Sequence, residues 1–319
     1  MIPRSLLPAS TEKVQVILVN SQSQVAILGD FSQEKESVVF TPLIPFTRGL
    51  KYEVLVSDQP VGKFEIPPAD RKEAPTLLAI YPTADSLPEN LLKIHLHFSN
   101  PMRETQSAKY VALVKNETDT VAGAFLDLQP ELWNEDRTML TLWLDPGRIK
   151  RDLIPNKTLG APLKKHERYK IIVSSRWQDQ QGLNLRQQYS KAFVTTPRDS
   201  DCPMPNLWEI KCPKSGTLQA LSINFNEPLD FTLLTETIGI HASGKKIVTG
   251  QWRVQDLEKT AIFTPDQRWS SGTYSLQIEA HLEDLAGNNL NRPFDRDITK
   301  KQTAINPTKF VNLPFRIVE

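Results

Sequence analysis

Gln219-Ala220-Leu221-Ser222-Ile223-Asn224-Phe225-Asn226-Glu227-Pro228-Leu229 alternates apolar and polar side chains and then meets a proline. Alternation with period two describes a half-buried strand, because successive side chains leave opposite faces. The proline ends it, having no N–H to offer a neighbouring strand. The same order stands upstream in Leu92-Lys93-Ile94-His95-Leu96-His97-Phe98-Ser99-Asn100-Pro101-Met102. Both close on Phe-x-x-Pro-apolar, and a repeat of this kind governs the reading of the whole chain.

A second landmark recurs in register. Arg168-Tyr169-Lys170-Ile171-Ile172-Val173 leads to Asp179-Gln180-Gln181-Gly182, and Thr273-Tyr274-Ser275-Leu276-Gln277-Ile278 leads to Asp284-Leu285-Ala286-Gly287. In both copies ten positions separate the tyrosine from the aspartate, and three separate the aspartate from the glycine. The copies differ between landmarks: Phe98 to Tyr169 spans 71 positions and Phe225 to Tyr274 spans 49. The excess lies mainly at 145–163, a polar stretch with Pro155, Gly160 and Pro162 that reads as a surface insertion. A shorter third copy opens the chain. Phe40-Thr41-Pro42 and Gly49-Leu50-Lys51-Tyr52 match Phe263-Thr264-Pro265 and Gly272-Thr273-Tyr274. Two proline-rich, charged connections, Pro67–Pro75 and Thr196–Pro205, read as stiff linkers.

The expected architecture is therefore all-β, with three tandem immunoglobulin-like β-sandwich domains at 1–70, 75–197 and 203–319. Helical periodicity is nearly absent, and 227–237 has room for one short turn of helix. The 24 prolines in 319 residues agree with many short strands and many connections.

Charge and composition exclude several roles. Thirty-eight basic against 37 acidic residues leave a net charge of +1. The basic runs are only pairs such as Lys164-Lys165 and Lys300-Lys301, so nucleic acid is not expected as a partner. No run of 18 apolar residues spans a membrane. Met1–Ser10 has no apolar core and is not a signal peptide, which leaves an internal protein or a mature or truncated form.

Candidate chemistry is sparse. Cys202 and Cys212 are too few for zinc and leave a disulfide or two free thiols. Asp179 and Asp284 fit turns in which the carboxylate bonds the backbone, and glycine follows for its positive φ. Calcium at the Asp284 turn, with Asn288 and Asn289, is the alternative. His95 and His97 share one strand face, expected to be solvated. There is no Gly-x-Ser-x-Gly elbow and no Gly-rich phosphate loop, so neither a catalytic site nor a cofactor is expected. Trp143 and Trp177, together with Arg148, Lys150 and Arg151 of the insertion, form the candidate binding surface. The alternatives are core packing for the tryptophans and a solvated loop for the insertion.

The last domain resembles the SbsA-type bacterial Ig-like domain. The resemblance rests on Phe225-Asn226-Glu227-Pro228-Leu229-Asp230, Phe263-Thr264-Pro265, Gly272-Thr273-Tyr274 and Asp284-Leu285-Ala286-Gly287-Asn288. The middle domain is a weaker copy, with Leu183 where the asparagine should stand. The resemblance implies a secreted, periplasmic or cell-surface β-sandwich serving as spacer, stalk or binding module, with a protein or polysaccharide of the envelope as partner. It implies no reaction.

Overall fold

The computed structural model describes residues 2–3, 14–20, 25–35, 37–68, 70–242, 246–295 and 307–319. Met1, Arg4–Ser10 and the Lys300-Lys301 pair lie outside them. Among the described residues six sheets form three sandwiches in tandem.

The N-terminal sandwich holds β1 (Ile2–Pro3), β2 (Val14–Leu18), β3 (Gly29–Gln33), β4 (Ser37–Pro42), β5 (Lys51–Val56) and β6 (Gln59–Glu65), in sheets β1-β4-β3 and β2-β5-β6. Its core is small: Val14, Val16, Tyr52 and Val54, with Phe31, Phe40, Phe46 and Phe64 packed on them.

The middle sandwich holds β7 (Leu77–Tyr81), β8 (Ser86–Pro88), β9 (Lys93–Phe98), β10 (Val111–Lys115), β11 (Asp119–Thr120), β12 (Leu132–Trp133), β13 (Met139–Trp143), β14 (Arg168–Val173) and β15 (Tyr189–Thr196). Its sheets run β12-β13-β9-β7 and β11-β10-β14-β15-β8, the last pair parallel. Short helices α1 (Ser107–Tyr110), α2 (Pro146–Ile149) and α3 (Ile154–Leu159) join them, the last two inside the insertion.

The C-terminal sandwich holds β16 (Glu209–Lys211), β17 (Leu221–Asn224), β18 (Ile238–Ala242), β19 (Lys246–Ile247), β20 (Gly250–Gln255), β21 (Thr260–Pro265), β22 (Gly272–Glu279) and β23 (Phe310–Ile317). They form β16-β17-β21-β20 and β19-β18-β22-β23, and α4 (Phe231–Glu236) lies in the expected 227–237 window.

One tyrosine device is common to all three. Tyr52, Tyr169 and Tyr274 open corresponding strands and reach back to the backbone four or five residues upstream. Thr47 N donates to Tyr52 Oη at 2.8 Å, Lys164 N to Tyr169 Oη at 2.9 Å, and Tyr274 Oη donates to Ser270 O at 3.0 Å. This is the tyrosine corner of immunoglobulin-like sandwiches, which pins the entry of a strand. Each ring then stacks on the phenylalanine paired with it in the next strand. Tyr52 lies over Phe64, Tyr169 over Phe193 and Tyr274 over Phe315, with centroids 5.5, 5.8 and 5.5 Å apart. The repeated tyrosine thus fixes a strand start and a cross-strand register at once.

Candidate functional site

The two sequence landmarks meet in space. Met102 of Phe-x-x-Pro-Met bridges Asp179, and Leu229 of Phe-x-x-Pro-Leu bridges Asp284. Both aspartates form the expected turn. Asp179 Oδ1 accepts from the amides of Gln181 and Leu183 at 2.9 and 2.8 Å. Asp284 Oδ1 accepts from the amides of Ala286 and Asn288 at 2.8 and 3.0 Å, and Asn288 Nδ2 donates to Oδ2 at 2.8 Å. Gly182 and Gly287 take the left-handed conformation, with φ of 90° and 82°.

Each turn rests on the preceding sandwich. A Cβ on Gly182 would stand 2.9 Å from Thr47 Cγ2 of the N-terminal sandwich, and one on Gly287 only 2.3 Å from Leu92 Cδ2 of the middle sandwich. Glycine is needed at both positions for the φ and for the close approach. Beside Gly182, Arg48 N donates to Gln181 O at 3.0 Å, and Arg103 Nη2 donates to Thr47 Oγ1 at 3.2 Å. Beside Gly287, Leu92 N donates to Leu285 O at 2.9 Å.

The second joint is the more elaborate one. The C-terminal sandwich covers the outer face of β9, so Ile94, His95 and Leu96 are all buried. His95 is 2% exposed, and its ring lies between Thr141 Oγ1 (3.0 Å from Nδ1) and Asp230 Oδ2 (3.2 Å from Nε2). A carboxylate only accepts, so Nε2 carries a proton and faces Asp230. Lys93 Nζ lies 2.6 Å from Glu283 Oε2 and 3.4 Å from Asp230 Oδ2. Asp230 Oδ1 caps α4 through the amides of Thr232 and Leu233, both at 3.1 Å.

Burial works against both charges, and their partners overcome it. Lys93 titrates above its usual value because Asp230 and Glu283 outweigh its desolvation. Asp230 is held well below the ordinary carboxylate range by His95, Lys93 and the Leu233 amide. Around this core, Tyr81 stacks on Phe231 with ring centroids 3.6 Å apart. Buried Glu258 accepts from the amide and hydroxyl of Thr83 at 2.9 and 2.7 Å. Glu258 ends a run of three residues, Asp256, Leu257 and Glu258, all at positive φ. A run of left-handed non-glycine residues is strained, and here it delivers a carboxylate to the joint.

The linker is docked as well. Asn90 exchanges two hydrogen bonds with the backbone of Asp199, at 2.7 and 2.9 Å. Asp199, Glu227 and Asp284 bring carboxylate oxygens within 4.8 Å of one another. Burial raises all three; Asp201 adds repulsion at Asp199 and Glu227, Asp199 adds it at Glu227 and Asp284, and Glu227 and Asp284 each reach about 7. These are the residues with the donor type for a divalent cation. Three oxygens are half of calcium's shell, Asn288 and the Asp284 oxygens are already engaged in the turn, and Asn289 Oδ1 accepts the amides of Asn291 and Arg292.

The structure corrects several expectations. Trp177 is 0% exposed: its ring meets Phe98 and Trp133 edge-on, and Nε1 donates to Arg103 O at 3.1 Å. It is the centre of the middle core and offers no platform. Trp143 is half-buried, with Lys93 Nζ 5.2 Å above its ring. Arg148 is buried, donating to Gly160 O, Ala122 O and Gly123 O at 2.9, 2.8 and 2.7 Å, and so holds the insertion together from within. Lys150 Nζ sits 4.2 Å over Phe294, while Arg151 Nε and Arg198 Nη1 both lie 2.9 Å from Asp295 Oδ2. These basic groups fasten the C-terminal sandwich. His95 is not solvated as expected, because its cover comes from another domain; burial also lowers the half-buried His97.

Cys202 and Cys212 are both free thiols. Cys202 lies among Asp284, Asp201, Asp199 and Glu227, where burial and that charge push it up to about 11. Cys212 is exposed beside the backbone of Arg316 on β23. The two therefore face different surroundings.

No curated protein matches the sequence. Among solved structures, the MG0-NIE-MG1 part of alpha-2-macroglobulin from Escherichia coli is 12% identical, covering 65% of this chain and 66% of that chain with a TM-score of 0.26. The N-terminal part of the bacterial S-layer protein SbsC is 10% identical, covering 65% of this chain and 41% of that chain with a TM-score of 0.26. A chimeric titin Z1Z2 is 11% identical, covering 64% and 89% with a TM-score of 0.22. Residues 214–300, within the C-terminal sandwich, match the bacterial Ig-like domain family.

Proposed function

We propose that the protein is a non-catalytic structural and interaction module of the bacterial cell envelope, acting outside the cytoplasm. Its middle and C-terminal sandwiches work as one stiff body that holds surfaces at a fixed separation. The observation that carries this reading is the repeated seating of the aspartate turn, Asp179–Gly182 or Asp284–Gly287, on the sandwich before it. Domains that merely follow one another on a flexible tether have no need of a buried histidine and aspartate between them, with a half-buried lysine and glutamate alongside. Charges are costly to bury, and what such a group contributes is a defined geometry. The bacterial Ig-like match at 214–300 supports the envelope setting. Asp284, the most buried of the clustered carboxylates, has its oxygens committed to turn amides and is a poor acid catalyst.

Spin labels at Glu117→Cys in the middle sandwich and Arg253→Cys in the C-terminal one test the stiffness, in a Cys202→Ser/Cys212→Ser background. A single narrow distance distribution in solution is expected. A broad or multimodal one overturns the proposal.

A further inference from the structure

The 145–163 insertion is more ordered than a solvated loop requires. Asp145 caps α2, accepting from Gly147 N at 2.8 Å, and Asn156 Nδ2 donates to Arg148 O. The buried Arg148 guanidinium ties Gly160 to Ala122 and Gly123. Ile149 and Leu163 root the two ends in the middle core. Ordering this much chain costs conformational entropy, which these internal bonds offset.

The rooted scaffold turns apolar side chains outward. Leu153 is 44% exposed, Ile154 77% and Leu159 67%. The last two end α3, a helix of six residues and so about 9 Å long. Lys157 stands on α3, and Lys164 and Lys165 follow it in the sequence, all exposed and without an ion pair among the described residues. Over 152–165, beyond the engaged Lys150 and Arg151, the sequence has three lysines against a single acid, Asp152. It contains no aromatic residue and no methionine.

That composition distinguishes between surfaces. Protein interfaces favour tyrosine, tryptophan, methionine and arginine and are depleted in lysine. Exposed aliphatic side chains interspersed and followed by exposed lysines match a bilayer, where aliphatic side chains enter the headgroup boundary and lysines meet lipid phosphates. We propose that this lobe docks the protein peripherally on an anionic lipid surface. Leu153, Ile154 and Leu159 enter the interface, and Lys157, Lys164 and Lys165 meet the phosphates. No helix among the described residues is long and apolar enough to cross a membrane, and the docking needs none. It also stands apart from the stiffness of the two-domain body, since every residue used belongs to the middle sandwich.

Cosedimentation of the full chain with phosphatidylglycerol-containing and pure phosphatidylcholine vesicles, at low and high salt, tests the assignment. Binding to the anionic vesicles that weakens with salt is expected. The Ile154→Ser/Leu159→Ser variant should bind roughly tenfold more weakly or worse, with an unchanged melting temperature because both side chains are exposed. Failure of the intact chain to bind anionic vesicles at low salt overturns the proposal. So does equal binding to both vesicle types, or binding that the double substitution leaves intact. Capture of an envelope protein that depends on Ile154 and Leu159, without vesicle binding, would reassign the lobe to a protein partner.

Discussion

Asp230 divides its work between two oxygens. One caps α4 and the other holds Lys93 and His95 across the joint. Asp230→Ala removes both at once, leaving the His95 Nε2 proton and part of the Lys93 charge buried without an acceptor. Breaking a buried pair from one side costs about 3–5 kcal/mol, and losing a helix cap costs about 1 kcal/mol. Urea unfolding of the full chain should show a loss of this order. Asp230→Asn keeps an oxygen for the cap but turns an amide N–H toward the His95 Nε2 proton and Lys93, so it gives up the charge and that acceptor while sparing the cap, and its loss should be the smaller by about the 1 kcal/mol of the cap.

Arg148 shows the same economy at the scale of an element. Its side chain is the internal strut of the insertion, and Arg148→Met should leave the sandwich folded while loosening the lobe. Limited proteolysis is expected to cut within 150–160 much faster in the variant, with the rest of the middle sandwich intact. The strands themselves were legible in the sequence. Ile94-His95-Leu96-His97-Phe98 and Leu221-Ser222-Ile223-Asn224-Phe225 are strands β9 and β17 nearly as the alternation predicts, and the Asp-x-x-Gly turns follow from local chemistry. The insertion was legible as an insertion, but its two helices were not, since α2 and α3 are too short to show a period. The burial of His95 was hidden for a different reason. Alternation reports which face of a strand meets its own sheet partner, and carries no information about a second domain that later covers the other face. Trp177 stays open between core and surface in the sequence, because a tryptophan before a turn sits equally well inside or outside until the turn's direction is known.

At the scale of the whole molecule the buried carboxylates oppose one another. Asp284 and Glu227 titrate near 7 in the folded chain, above the value of about 4 expected when unfolded. Between those values the folded state holds more protons than the unfolded one, so their contribution is full below about pH 4 and is lost as pH rises through 7. Asp230 runs the other way. Its folded carboxyl titrates below the unfolded one, so its contribution is full above about pH 4 and is lost as pH falls. Melting temperature should therefore peak in mildly acid solution, at about pH 4–5, and decline toward pH 8. Glu227→Gln removes one of the repelling charges and should flatten that decline, adding about 1 kcal/mol at pH 8. A melting temperature that rises steadily from pH 5 to pH 8 would contradict the assignment of the three clustered carboxylates.

The seat beneath Gly287 also decides whether these sandwiches are interchangeable parts. In the repeat, Leu92, Lys93 and His95 correspond to Gln219, Ala220 and Ser222. A copy of the C-terminal sandwich transplanted into the middle position would give the incoming turn neither the aliphatic knob under its glycine nor the lysine and histidine donors for Asp230 and Glu283. Shuffling of modules, open to domains strung on loose tethers, is closed here. The last two sandwiches can be inherited, recombined or redesigned only as a matched pair.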